Sequence, residues 1–126
     1  MRHRAAGVAV VVGVAFILLM PPFAHAFETQ AQRTLQAALC LATTGTYLLA
    51  ALVLSRGWSR WAWVMGAAGL LGLGTTLAFE RGNQHPWELA HLGANGPLHW
   101  FLSGLTVLVA AVPPVRTWVG SAPRGR

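Results

Sequence analysis

Polar positions are few in this chain, and they cluster so as to cut it into four apolar blocks. The blocks cover 5–20, 34–54, 61–79 and about 98–112, and the first contains no polar side chain at all. Apolar residues gathered into long blocks are what a chain shows when lipid is its solvent. A helix needs about 20 residues to cross about 30 Å of hydrocarbon. The second and third blocks meet that length. The first and fourth, at 16 and 15 residues, are short, but interfacial residues and prolines extend them. The expected fold is all-α: one membrane domain over 1–126, a small polytopic bundle of four transmembrane helices at about 5–24, 34–54, 61–79 and 97–114, with an outer loop at 80–96. A half-membrane or re-entrant last segment is the alternative for the fourth block.

The breaks have chemical causes. Ser55-Arg56-Gly57-Trp58-Ser59-Arg60 sets two arginines and a glycine between the second and third blocks. One arginine at the bilayer centre costs about 2.5–3.5 kcal/mol, so a pair forces the turn out of the membrane. Glu80-Arg81-Gly82-Asn83-Gln84 ends the third block in the same way, and Pro113-Pro114 stops the fourth, because proline lacks the helix donor and clashes with the preceding turn.

Arginine placement then sets the orientation. If the blocks alternate in direction, seven arginines (2, 4, 56, 60, 116, 124 and 126) share one side and two (33 and 81) the other. The positive-inside rule makes the first side cytoplasmic, with both termini there. The expected location is a bacterial cytoplasmic (inner) membrane. Trp58, Trp61, Trp63 and Trp118 fall at the inner interface and Trp87 and Trp100 at the outer one, as an aromatic belt requires. The first block has a rival reading. A basic start, an apolar run and Ala24-His25-Ala26 have the layout of a secretory signal peptide. Cleavage there leaves three spans starting from Phe27, with the later sidedness unchanged.

Composition agrees with membrane placement. Apolar residues make up 55% and charged residues 10%, against about 25% charged in a soluble domain. The net charge of +6 raises nucleic-acid binding, but the arginines sit at block ends and form no stripe, so that class is set aside. Cys40 is the single cysteine, inside an apolar block, and reads as an inert buried thiol.

Two sets of residues are candidates for chemistry. The outer side collects His25, Glu28, His85, Glu88, His91 and His99. His85, Glu88 and His91 form His-x-x-Glu-x-x-His, with His25 a further ligand, a donor set suited to zinc or copper. The spacing spreads the three over about 120° of a helix, unlike ligands at i and i+4 on one face. The plainer reading is polar residues facing water and headgroups, with His85 and Glu88 capping a helix start. The second set is Gln36, Cys40, Thr43 and Tyr47, spaced 4, 3, 4 on one helical face within about 60°. A polar stripe in a membrane helix faces protein or a cavity. Gln36 and Tyr47 are the candidates for a pocket binding a quinone, a lipid headgroup or a small solute, and His99 for haem b; interhelical hydrogen bonding, at about 0.6 kcal/mol per contact, is the simpler role. A bis-histidine haem needs two histidines facing one plane, and only His99, with His91 above it, lies near the bilayer.

No block carries Asp, Glu, Lys or Arg in its interior, which argues against ion-coupled transport. Ser103 and His99 stand one turn apart without an orienting carboxylate, so acyl transfer is not indicated. Small residues repeat every four positions at Ala38, Ala42, Thr46 and Ala50, at Ala62 and Gly66, and at Ala68, Gly72 and Thr76. Such faces let helix backbones approach closely, within the bundle or against a partner. The expected function is a non-catalytic accessory, assembly or scaffold subunit, with other membrane subunits or further copies as partners. The alternatives are a metal, haem or quinone protein with its site at the outer face, and a holin-like pore former.

Overall fold

The computed structural model describes residues 2–19, 29–82 and 96–121. They form five helices, α1 (Arg2–Leu19), α2 (Gln30–Ser55), α3 (Trp61–Gly82), α4 (Gly96–Ala111) and α5 (Pro113–Val119), with no strand among the described residues. Consecutive helices pack as neighbours, α1 on α2, α2 on α3, α3 on α4.

The helical bundle is as expected, but the number of clear spans is lower. α2 and α3 are long and apolar enough to cross a membrane; α4 and α5 pass that test only as a pair, and they meet at 95°. Alone, the 16 residues of α4 reach about 24 Å and the 18 of α1 about 27 Å, short of about 30 Å of hydrocarbon. Among the described residues two helices, or three spans counting the bent pair as one, therefore carry the dimensions of a span, where the sequence pattern predicts four.

Local chemistry explains where helices begin and end. α2 starts one turn before the apolar block because Thr29 and Gln32 form a reciprocal capping box: Thr29 Oγ1 accepts from Gln32 N and Gln32 Oε1 from Thr29 N, both at 3.1 Å. At its other end Gly57 takes φ +73°, Trp58 N donates to Val53 O and Gly57 N to Leu54 O, each at 3.0 Å. That is a Schellman stop, in which the left-handed residue is most easily glycine. Pro113 does end α4, but it also opens α5. Val112 is extended (φ −83°, ψ 113°), as a residue before proline prefers, and the chain turns there.

Polar side chains are buried within the apolar core, and large aliphatics lie on the surface. Thr43, Thr75, Thr76, His99 and Ser103 are fully buried beside Phe16, Tyr47 and Phe79, whereas Val11, Leu41, Leu70 and Leu108 are more than half exposed. Hydroxyls inside and aliphatics outside is the stable order when lipid surrounds the bundle.

The first and last described residues meet. Arg2 N donates to Ser121 O at 3.1 Å, and the Arg2 guanidinium lies against Gly57 in the α2–α3 turn. The first turn of α1, the Arg56–Arg60 turn and α5 thus share one end of the bundle, the arginine end. The four described tryptophans there differ in exposure: Trp58, Trp63 and Trp118 are exposed, but Trp61 is buried against Gly120.

Candidate functional site

The polar residues of α2 run along its buried face and are engaged one after another by different helices. Gln36 Nε2 donates to Thr75 O at 3.3 Å and reaches Cys40 Sγ at 3.9 Å. One turn on, Thr43 and Thr75 share a hydroxyl–hydroxyl bond of 2.8 Å; each is also 2.8 Å from a carbonyl of its own helix, Leu39 O and Leu71 O. Thr44 turns the other way and donates to Gly13 O of α1 at 2.6 Å. Tyr47 Oη donates to Thr106 Oγ1 of α4 at 2.8 Å, and Thr106 passes its proton to Leu102 O at 2.7 Å. A carbonyl already bonded within its helix accepts a second hydrogen bond through its other lone pair, which is how threonine is satisfied in a membrane helix.

A second cluster joins α1 to α4. Phe16, fully buried, stacks on Tyr47 at a centroid distance of 6.0 Å and meets the His99 imidazole edge-on at 4.5 Å. His99 Nε2 lies 3.3 Å from Ala15 O. One turn along α4, Ser103 is buried beside the Tyr47 phenol. It faces Gly72 of α3, where a Cβ would collide with it.

The sequence candidates separate on this map. Gln36, Tyr47 and His99 are all buried, but they do not converge on one space. Gln36 is taken up by α3, Tyr47 by α4, and His99 meets the Phe16 ring that stacks on Tyr47. His25, His85, Glu88 and His91 lie outside the described residues. Among the described residues no group of three histidine, cysteine or acidic side chains is placed to hold a metal.

Comparison with protein-family models, curated proteins and solved structures returns no match. The site is therefore read from its own chemistry.

Sequence reasoning did not single out Phe16, Thr44 or Thr106 for the site, nor Thr75. Phe16 is one apolar residue among many, and an isolated threonine in an apolar helix has no pattern of its own. The signal was the partner stripe on α2, which requires acceptors opposite it. The small residues of α3 work as the spacing suggests. At Gly69 a Cβ would stand 2.7 Å from Val107 Cγ2 and 3.0 Å from Val107 N, so α3 and α4 approach nearly backbone to backbone. On α2 the outcome is split: Ala50 is buried, but Ala38 and Ala42 face outward with Gly45 beside them.

Proposed function

We propose that this chain is a small multi-pass protein of a bacterial cytoplasmic membrane, crossing four times with both termini in the cytoplasm, and serving as a non-catalytic accessory or assembly subunit of a larger membrane complex. The observation that carries the reading is how the intramembrane polar groups are used. Thr43, Thr44, Tyr47, Thr75 and Thr106 are spent on tying one helix to the next, while the small-residue face of α2 at Ala38, Ala42 and Gly45 is turned outward. A bundle with its polar groups turned inward and a close-approach surface turned outward is built to pack against another helix.

Four crossings are supported by the arginine end. With Arg2, the Arg56–Arg60 turn and Ser121 together, α1 and α3 run one way and α2 and α4 the other. The short reach of α1 and α4 is within what local bilayer thinning and snorkelling arginines accommodate. The 95° bend lays α5 along the interface if α4 crosses. The rings of Phe16, Tyr47 and His99 support keeping α1 in the mature protein, since its removal opens the core.

The test is extraction in mild detergent followed by identification of what co-purifies, with metal analysis on the same sample. The expected result is a stable membrane partner that is lost in Ala42→Leu and Gly45→Leu, with the helical content of the bundle unchanged. A partner-free preparation with stoichiometric zinc, copper or haem contradicts this reading and establishes the outer-face site. Membrane permeabilisation on expression establishes the pore former instead.

A further inference from the structure

α1 and α4 touch at the Phe16–His99 contact and part toward the arginine end, leaving a cavity of about 250 Å³ open to the side. Val8 of α1 faces Leu105 and Val109 of α4 across it, and Trp118 of α5 closes its end. Its floor is Tyr47 and Thr106, and Arg4 stands at its mouth.

We propose that this groove binds one acyl chain of an anionic glycerophospholipid, with the lipid phosphate on Arg4. The proposal rests on the chain being in a membrane, and three features define the ligand. The walls are apolar, so the inserted part is a hydrocarbon tail. The floor hydroxyls have no proton to give: Tyr47 donates to Thr106 and Thr106 to Leu102 O. A quinone carbonyl on the floor finds no donor, since the donors of the groove, Arg4 and Trp118, are not on it, whereas a tail on the floor needs none. At the mouth the charge is one-sided. Arg2, Arg4, Arg56, Arg60 and Arg116 occupy this end, and the one carboxylate among the described residues, Glu80, is in the last turns of α3 at the far end. A zwitterionic lipid brings its own cation to that surface; an anionic lipid supplies the missing counter-charge. The exposed Trp118 indole is the kind of side chain that settles at the glycerol level of a lipid.

The experiment is native mass spectrometry of the detergent-extracted full chain with phosphatidylglycerol and phosphatidylcholine of identical acyl chains, and with a neutral isoprenoid quinone in a third arm. The expected result is a single dominant phosphatidylglycerol adduct. Arg4→Gln lowers it about fivefold, the factor equivalent to the ~1 kcal/mol one arginine contributes toward an anionic lipid. Leu105→Trp, a half-exposed position that tolerates bulk, fills the groove and removes the adduct. Arg116→Gln, beside a different cavity, leaves it in place. Equal adducts with both phospholipids, an unchanged adduct in Arg4→Gln, or preference for the quinone overturns the proposal. Failure of membrane placement shows separately, as protein recovered without detergent.

Discussion

Helix α4 meets α3 and α1 in opposite ways. Against α3 it closes to backbone contact along its length, with Gly69 under Val107 and Gly72 under Ser103. Against α1 it is joined at one point, where Phe16 meets His99, and beyond that the two helices part around a groove. A short distance in sequence does not explain this, since neither seam is made by a tight turn among the described residues. Composition does. α3 offers glycine where α4 must approach, so packing runs unbroken. α1 offers valine at positions 8 and 12 toward α4, and branched side chains hold the backbones apart. In lipid, where burial of apolar surface adds little between helices, a seam closes only where shape or a hydrogen bond closes it. One seam is therefore structural and the other is a lipid-accessible slot.

The comparison breaks first at Gly69. Gly69→Leu drives a side chain into the Val107 backbone, with no flexible atom to yield. The expected cost is about 3 kcal/mol or more, seen as loss of the folded species in a detergent-unfolding titration. Phe16→Ala comes next, at about 2 kcal/mol. That is below the 3–5 kcal/mol of a soluble core, because lipid tails solvate the apolar walls and only packing is lost. The same titration checks it, and a cost below 0.5 kcal/mol means the aromatic contact does not join α1 to α4. Thr43→Val with Thr75→Val, run as a double-mutant cycle, is expected to show a coupling of about 0.6 kcal/mol. Zero coupling means the 2.8 Å bond is not formed in the membrane. At the bottom stands Gly7→Leu, on the exposed side of α1, where a Cβ meets nothing within 4 Å. It is expected to leave stability within about 0.5 kcal/mol; a large loss there means α1 is covered by something beyond the described helices.

Much of this architecture is legible in the sequence, and the gaps have physical causes. Arginine pairs and prolines mark the helix breaks because charge and a missing donor act locally. The 4, 3, 4 spacing of Gln36, Cys40, Thr43 and Tyr47 reads correctly as an inward face because a polar stripe has one sensible direction in lipid. The capping box at Thr29 and Gln32 moves the start of α2 outside its apolar block, which hydropathy does not register. The role of Pro113 is half visible: its power to end α4 follows from its ring, while its place as the first residue of α5, at 95° to α4, is not marked by the apolar pattern. Whether Ala38 and Ala42 pack inward or outward is undetermined by spacing alone, since two faces of α2 carry small residues and only one meets α1 and α3. Gln36 and Tyr47 are engaged by different helices for a related reason: residues sharing a helix face at different heights meet different neighbours.

The proposed orientation puts the first turn of α1, the α2–α3 turn and the end of α5 together on one side of a lipid bilayer, with the end of α3 on the other. Thiol labelling in intact cells tests it directly. Cys40 is replaced by alanine, and single cysteines are placed at Ser59, Ser121 and Arg81. A membrane-impermeant maleimide is expected to label Arg81→Cys in intact cells, and Ser59→Cys and Ser121→Cys only after the membrane is opened. Labelling of Ser59→Cys and Ser121→Cys from opposite sides, or of all three without opening the membrane, contradicts the account.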